Sequence, residues 1–342
     1  MAQTLAADHR AHAAAAPSLL PVQEIMATRP EHRRMPHDAA YAGGAAYVID
    51  RFTPLDRAGV PIADLGFNRG DAVYDVVSVS RGSFFRLADH QRRFAASCKR
   101  VRLTNPLAAE EERAVLNRLV ALAGYRDAYV WWGVTRGATP QRAADRTDPA
   151  NFANRFFAYA IPYVFIADDE RRSRGADAVV SREYFRIPPS SVDPRAKNLN
   201  GLDFAMSLFE AGDRGAEWSL LTDGAGNLTE APGSNIFVVS NGTVATPEDW
   251  CLEGITRMTA LELVRDLSRE VEVRKVAVAE LMQADEAFLT SSAGGIVPLN
   301  SVDGVALAGG PGPGPLTRAL HDRYWQKRWE GWHGTPVDYA AA

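Results

Sequence analysis

A lysine and the start of a helix are the first two features of this sequence that could support catalysis. Lys197 lies in Asp193–Asn200, where a loop leads into a predicted helix. A desolvated lysine loses its proton readily, and its free amine then attacks carbonyl groups. Gly254-Ile255-Thr256 begins a second predicted helix, so its free backbone N–H groups and the positive end of the helix dipole suit an anion such as phosphate. Taken alone, each segment also fits a plain role, as a surface lysine or a helix cap.

Four further segments combine glycines with charged or hydroxyl-bearing residues. Glu230 lies in Asn227–Ile236, ahead of a glycine turn and a strand, and Ser292 lies in Thr290–Gly295, after a predicted buried strand. The other two segments, closer to the N-terminus, are Gly70–Asp75 and Phe85–His90. In order and separation, the six segments together resemble those of the branched-chain and D-amino-acid aminotransferase superfamily of fold type IV. They are most similar to those of the (R)-selective amine transaminases, and the resemblance extends from about Gly43 to the C-terminus.

The resemblance implies pyridoxal 5′-phosphate as cofactor and a role for each segment around it. Lys197, in a Lys-Asn-Leu pattern, would hold the cofactor as a Schiff base and then shuttle a proton between the substrate carbon and the cofactor carbon. Glu230, in Glu-Ala-Pro-Gly-Ser-Asn, would face the pyridine nitrogen and keep it protonated, which makes the ring a better electron sink. The phosphate contacts that the resemblance implies come from Arg86, Ile255, Thr256 and Ser292.

The resemblance also implies which residues face the substrate. Tyr74 lies in a Gly-Asp-Ala-Val-Tyr-Asp segment that matches a pocket-lining strand of the family. Tyr129 and Trp131 share one face of their predicted strand, because side chains alternate with a period of two. Arg142, in a loop, matches an arginine that can pair with the carboxylate of the keto acid, and Ala293 would offer a backbone N–H to a substrate carboxylate.

Two positions depart from the pattern of the (R)-selective amine transaminases. Arg69 stands where they carry a histidine, and Gly201 replaces a tryptophan. We expect Gly201 to leave open volume near the cofactor and Arg69 to add a charge near the entrance. The strand Tyr129–Arg136 lacks the Arg-x-His carboxylate clamp of D-amino-acid aminotransferases, which argues against a specialist for D-amino acids.

We therefore expect a transaminase that moves an amino group between an (R)-amine or amino acid and a keto acid such as pyruvate. Two alternatives on the same fold are a branched-chain or D-amino-acid aminotransferase and a lyase similar to aminodeoxychorismate lyase, which would form product without a keto-acid co-substrate. A scaffold that merely binds the cofactor would have no use for Lys197 and Glu230 together. The resemblance also implies a homodimer, with each active site near the subunit interface.

Two groups of predicted elements position these residues. Residues 44–165 combine strands with two helices, which predicts a small α+β domain. Residues 166–176 are charged and rich in turn formers, which is typical of an interdomain linker. Residues 177–342 mix strands and helices and would form the large cofactor-binding domain, so that the fold class is α+β or α/β. Residues 1–43, rich in Ala, Pro, His and Arg, predict an N-terminal extension that is partly flexible.

Composition excludes several other classes of protein. The chain has 342 residues, enough for two domains, and its net charge of −4 argues against a nucleic-acid partner. Two cysteines and seven histidines show no metal-ligand spacing, so we expect no metal and two reduced thiols. No apolar run is long enough to span a bilayer and no hydrophobic leader is visible, which predicts a cytoplasmic protein with no membrane partner. We expect a local cluster of basic residues to form a solvated helix face; its members are Arg92, Arg93, Lys99, Arg100 and Arg102.

Overall fold

The computed structural model describes residues 19–21, 25 and 38–342, and these residues form two β-sheets flanked by helices. In the first sheet, every neighbouring pair of strands is antiparallel. From one edge to the other, its strands are Gly334–Pro336, Ser83–Phe85, Ala72–Ser80, Ala128–Thr135, Arg155–Pro162, Ala45–Val48 and Arg51–Pro54. Its central strands are rich in valine and aromatic residues, which suit a pleated surface that is buried on one face.

Two helices, Leu87–Arg100 and Ala109–Ala123, cover one face of the first sheet. Phe94 from the first helix and Leu116 from the second are buried in one core with Trp132 from the sheet. Burial of apolar side chains on one face of a sheet and one side of each helix is the main force that joins such layers. The opposite face of the sheet is left available to the rest of the chain.

The second sheet contains both parallel and antiparallel strand pairs and is covered on both faces. From one edge to the other, its strands are Val271–Arg274, Thr243–Pro247, Asn235–Ser240, Glu286–Ser291, Gly295–Val302, Ala176–Val180 and Trp218–Leu220, with Val305–Ala306 paired to the fifth of these. Neighbouring residues of a strand point to opposite faces. Ile236 accordingly packs in one core, while Phe237 packs in a second core beneath the helices Ile255–Asp266 and Pro315–Trp329.

The remaining helices are short or lie at connections. They are Leu65–Arg69, Asp169–Arg174, Leu202–Asp213 and Val278–Leu281, with 3-10 turns at Ala39–Tyr41, Leu55–Arg57, Ala143–Thr147, Pro149–Asn151 and Tyr339–Ala341. None of the helices in the described part of the chain is long and apolar enough to cross a membrane.

Two connections differ from what the sequence pattern indicates. The predicted linker, residues 166–176, contains the helix Asp169–Arg174, whose first turn is capped by the Asp168 side chain. Six mostly charged residues show no apolar periodicity, so such a helix leaves no pattern to detect. The last strand, Gly334–Pro336, pairs with the first sheet, although its residues fall in the range predicted for the second domain. The domain boundaries themselves stay a prediction.

Most of the N-terminal extension predicted for residues 1–43 lies outside the described residues. Within the part that is described, the Leu20 N–H donates to Asp322 Oδ1 at 2.9 Å, and the Leu20 carbonyl accepts a hydrogen bond from Arg172 at 2.6 Å. Ile25 is fully buried in the core beneath the last long helix.

Candidate active site

A cavity of about 310 Å³, which we call the lysine cavity, is lined by residues from both sheets. The predicted site residues that line it are Tyr74, Tyr129, Lys197, Glu230, Ile255, Thr256, Ser292 and Ala293. Three others, Arg86, Trp131 and Arg142, are not among its lining residues. The structure thus brings together segments that are up to about two hundred residues apart in the chain.

Lys197 is held from both sides by backbone hydrogen bonds. Its N–H donates to Ser97 Oγ at 3.1 Å, and its carbonyl accepts from the Tyr74 N–H at 2.8 Å. Its Nζ lies 4.5 Å from the centre of the Tyr74 ring, a distance at which an ammonium is attracted to the aromatic face. The backbone is therefore fixed to the first sheet and to the helix that covers it, while the amine reaches into the cavity.

Glu230 is the buried carboxylate of the lysine cavity, with 4% of its surface exposed. Its Oε1 accepts a hydrogen bond from Arg186 Nε at 2.8 Å, and its Oε2 accepts one from the Leu252 N–H at 3.0 Å. Burial raises the pKa of Glu230 above its usual value, while the Arg186 guanidinium acts against that rise. Arg186 is held in turn by Asp203, 2.6 Å away. A carboxylate fixed in this way can share a proton with a ring nitrogen placed in the cavity.

One end of the lysine cavity is suited to an anion. The helix Ile255–Asp266 begins there, after Gly254, so the first N–H groups of the helix face the cavity without a side-chain cap from that glycine. A Cβ on Gly254 would collide with Asn235, so a side chain would not fit there. Within the described residues, the buried Oγ1 of Thr290, which also lines the cavity, has no hydrogen-bond partner.

Arg93, predicted to lie on a solvated helix face, instead lines the lysine cavity, with 10% of its side chain exposed. Its Nε and Nη2 donate to the two carboxylate oxygens of Asp75, at 2.8 and 2.7 Å. Asp75 also contacts His90 Nδ1 at 2.7 Å. Burial alone would raise the pKa of Asp75, but the Arg93 guanidinium and His90 hold that pKa well below its usual range. Asp75 therefore stays ionised and fixes the direction of Arg93.

The structure does not bring Arg86, the arginine assigned to phosphate from the sequence, to this cavity. Arg86 forms ion pairs with Asp89, at 3.2 Å, and with Glu262. Its guanidinium also lies over the Trp332 ring, 5.1 Å from the ring centre. Arg93 lies about two turns further along the chain. The arginine of this part of the chain that lines the cavity is therefore Arg93, within the helix, and not Arg86, which precedes it.

The predicted alternation of aromatic residues along one strand is confirmed. Val130 and Trp132 are fully buried, whereas Tyr129 and Trp131 are partly exposed on the other face. Tyr129 lines the lysine cavity. Trp131 instead stacks on Tyr74, with 5.7 Å between ring centres and 20° between ring planes. One of the two aromatic residues predicted to face the substrate therefore reaches the lysine cavity directly, and the other supports the ring under the lysine.

Two residues predicted to contact a substrate carboxylate, Ala293 and Arg142, differ in their surroundings. The Ala293 N–H donates to Ser291 Oγ at 3.2 Å, within its own turn. Arg142 is exposed and precedes the 3-10 turn Ala143–Thr147. For both residues, the role in substrate binding stays a prediction.

A larger cavity, of about 900 Å³, adjoins the first, and we call it the apolar cavity. It shares Leu199, Asn200 and Gly201 with the lysine cavity. Both positions that depart from the family pattern, Arg69 and Gly201, line it, and Arg69 is exposed there. The expectation of open volume beside the lysine thus has a counterpart in the structure.

Comparison with known proteins identifies the family. Residues 72–302 match the family described as "Amino-transferase class IV". The chain belongs to this family. A D-alanine aminotransferase of Bacillus licheniformis is 29% identical over 78% of this chain and 91% of its own length. The branched-chain amino acid aminotransferase of Thermobaculum terrenum, solved in its PLP form, is 28% identical, with a TM-score of 0.76 over 87% of this chain and 99% of its own.

A third relative is much longer than this chain, so the match covers only part of that relative. Branched-chain-amino-acid aminotransferase-like protein 1 of Arabidopsis thaliana is 28% identical over 82% of this chain, which spans about half the length of that relative (50%). Membership of the family confirms the predicted resemblance to aminotransferases of fold type IV, the fold class and the enzyme class, and with them pyridoxal phosphate as the cofactor expected. The lysine cavity fits such a group, because it combines an amine, a buried carboxylate, a helix N-terminus and a hydroxyl that has no hydrogen-bond partner in the described part of the chain.

Proposed function

We propose that this protein is a pyridoxal-phosphate-dependent transaminase that moves an amino group between an (R)-amine or amino acid and a keto acid such as pyruvate. The observation that carries the proposal is the set of groups in one cavity: the Lys197 amine, the buried Glu230 carboxylate and the N-terminus of the helix Ile255–Asp266. In the cofactor, the partner of the amine would be the carbonyl carbon, that of the carboxylate the ring nitrogen, and that of the helix N-terminus the phosphate. When bound, the cofactor supplies an electron sink for the charge that develops on the substrate carbon.

The phosphate fits the polar end of the lysine cavity. The groups that would hold it are the N–H groups of Ile255 and Thr256, the hydroxyls of Thr290 and Ser292, and the Arg93 guanidinium. Charge-assisted hydrogen bonds from a guanidinium are stronger than those from neutral donors. We assign this contact to Arg93 rather than to Arg86, because Arg93 lines the cavity while Arg86 is engaged by carboxylates outside it.

Lys197 is the group that carries the proton. Its Nζ would take a proton from the substrate carbon that bears the amino group and release it on the side where the cofactor would lie. The cofactor, when bound, would accept the amino group, and water would supply the oxygen of the carbonyl product. The Tyr74 ring, 4.5 Å from Nζ, supports the amine during this transfer and keeps water from that side. Because the backbone of Lys197 is fixed at both its N–H and its carbonyl, the movement is confined to the side chain.

Glu230 holds a proton at the ring nitrogen. Burial raises the pKa of Glu230, so this carboxylate binds a shared proton more firmly than an exposed glutamate would. Arg186, 2.8 Å away, fixes its position and favours its charged form. By keeping a proton at the ring nitrogen, Glu230 would lower the barrier to loss of the proton from the substrate carbon.

The second candidate is a branched-chain or D-amino-acid aminotransferase, which the names of the relatives favour. Mirror-image donors separate the candidates. We expect purified protein supplied with cofactor and pyruvate to convert (R)-α-methylbenzylamine at least about 10-fold faster than its (S)-form, a discrimination of roughly 1.4 kcal/mol. A preference for L-leucine over both forms of α-methylbenzylamine would support the branched-chain candidate instead. Product formed without pyruvate would indicate a lyase.

We also propose that the enzyme is a homodimer with each active site near the interface. The helix Leu202–Asp213 exposes Leu202, Met206 and Phe209, a spacing that places three apolar side chains on one side of the helix. Leu202 also lines the apolar cavity, so this surface adjoins the site. Exposed apolar surface of this kind is typical of protein interfaces. Light scattering at micromolar concentration tests the proposal, and a monomeric mass with full activity would contradict it.

A further inference from the structure

A row of aromatic rings leads from the catalytic lysine into the apolar cavity. The Lys197 amine lies over Tyr74, and Tyr74 stacks on Trp131. Trp131 stacks in turn on Tyr159, with 5.5 Å between ring centres and 12° between ring planes. Trp131 and Tyr159 both line the apolar cavity, whereas Tyr74 lines the lysine cavity. The row therefore forms a continuous aromatic surface across the boundary between the two spaces.

Gly201 lies at that boundary and leaves it open. It lines both cavities, together with Leu199 and Asn200. Within the described residues, a Cβ added at Gly201 would meet Phe204 Cδ2 at 3.8 Å and nothing nearer, which is ordinary van der Waals contact. A large side chain at this position would therefore extend into the opening rather than into packed neighbours.

The volumes indicate that a large substrate needs both spaces. Ligand pockets in proteins measure roughly 300–1,000 Å³. The lysine cavity, at about 310 Å³, is at the lower end of that range and must also accept the cofactor. The apolar cavity adds about 900 Å³, and its wall includes Val48, Phe157 and Ile187 besides the aromatic row. Such a wall suits an uncharged, apolar group.

We infer that the apolar cavity binds the bulky apolar substituent, aryl or long alkyl, of the amino donor, and that Gly201 determines this specificity. The inference rests on the proposed transaminase function, because it places the amine of the donor beside Lys197. The substituent then lies along the aromatic row, where rings stack favourably and apolar surface is removed from water.

The test replaces Gly201 and compares two donors that differ in one substituent. Isopropylamine carries a methyl group where (R)-α-methylbenzylamine carries a phenyl group. In the holoenzyme, Gly201→Trp is expected to lower kcat/KM for the phenyl donor by about 100-fold, within the range that steric changes in a pocket produce, and to lower it for isopropylamine by less than about 5-fold. Gly212→Trp is the matched control, because Gly212 is exposed in the helix Leu202–Asp213, which Gly201 precedes, and among the described residues nothing beyond its chain neighbours and the backbone of its own helix lies within 4 Å of its Cβ position.

A binding measurement separates this inference from the proposed function. The unreactive α-methylbenzyl alcohol is titrated into the holoenzyme by calorimetry, and Gly201→Trp is expected to weaken its binding by about 10-fold or more while Gly212→Trp does not. If wild type converts neither donor yet binds the alcohol in a way that depends on Gly201, the proposed function fails and the cavity assignment stands. The inference would be overturned if Gly201→Trp lowered kcat/KM equally for both donors or left the binding of the alcohol unchanged. A change of solution mass in Gly201→Trp would also overturn it, because that would indicate that a second copy of the chain fills the cavity.

Discussion

The two ends of the lysine cavity are built differently. At the cofactor end, Glu230 accepts two hydrogen bonds and Arg93 is held by both oxygens of Asp75. At the other end, Gly201 leaves an opening to the apolar cavity, while Arg142, which does not line the lysine cavity, is exposed. Groups that perform the same step on every substrate can be held rigidly, since their geometry never has to change. Groups that select among substrates need room, and the contrast indicates where the specificity of this enzyme can vary without loss of its chemistry.

The largest effect is expected at the fixed end, from Lys197→Ala. Without the amine, no group in the cavity can hold the cofactor carbon or carry the proton, so turnover should fall by roughly 10,000-fold. The visible absorbance of the bound cofactor should also be lost from the purified protein. Lys99→Ala, at an exposed lysine, is the control and should retain both. An unchanged visible spectrum in Lys197→Ala would remove the basis for the assignment.

A smaller loss is expected from Glu230→Gln, which keeps the shape of the side chain and removes its charge. The ring nitrogen then loses the partner that keeps it protonated, and single-turnover rates should fall by roughly 100- to 1,000-fold. Cofactor affinity should change little, because the phosphate contacts are intact. Glu248→Gln, at an exposed glutamate, provides the comparison. Near wild-type single-turnover rates in Glu230→Gln would mean that the carboxylate does not act on the ring.

Arg86, which precedes the helix Leu87–Arg100, and Arg93, which lies within it, can be told apart by a pair of substitutions. Arg93→Met removes a charge-assisted contact to phosphate and should raise the Kd for pyridoxal phosphate by roughly 10- to 100-fold. Arg86→Met should instead lower the melting temperature, since it removes one ion-pair partner each from Asp89 and Glu262, and should leave the Kd within about 3-fold. The reverse pattern would restore the sequence-based assignment of Arg86.

The smallest effect is expected from Arg142→Ala, at an exposed residue. If Arg142 moves inward to pair with the keto-acid carboxylate, the KM for pyruvate should rise by about 10-fold, while the KM for an uncharged amine should stay within about 2-fold. Arg146→Ala, another exposed arginine of the same loop, separates this effect from a general loss of positive charge. Equal changes in both half-reactions would make Arg142 a structural residue.

The cofactor end could be predicted from the sequence because its groups lie in short local motifs. Lys197 and Glu230 each lie in a short segment of consecutive residues that is sufficient to predict the residue's position in the site. The sequence predicts a solvated helix face for Arg93, which instead lines the cavity, because its exposure depends on which side of the helix faces the cavity. Helical spacing could have located it, since it is three residues after His90 and four before Ser97, and both of these are buried.

The substrate end and parts of the fold could not be predicted in this way. The opening at Gly201 depends on the distance between segments from both sheets, which no local pattern records. The strand Gly334–Pro336 has three residues and pairs with Ser83–Phe85, about 250 positions earlier in the chain. Short strands whose partners are distant carry too few alternating residues to be recognised from sequence.

That C-terminal strand has a mechanical consequence for access to the lysine. The helix Pro315–Trp329 packs on the second sheet, and the chain then returns to the first, where the Arg86 N–H donates to the His333 carbonyl and the Val337 N–H donates to the Gly82 carbonyl, each at 2.9 Å. The two sheets are therefore linked twice, by residues 163–175 between their strands and by this C-terminal strand. Separating the sheets would break the hydrogen bonds of the C-terminal strand, so we expect amine and keto acid to enter and leave without separation of the two sheets.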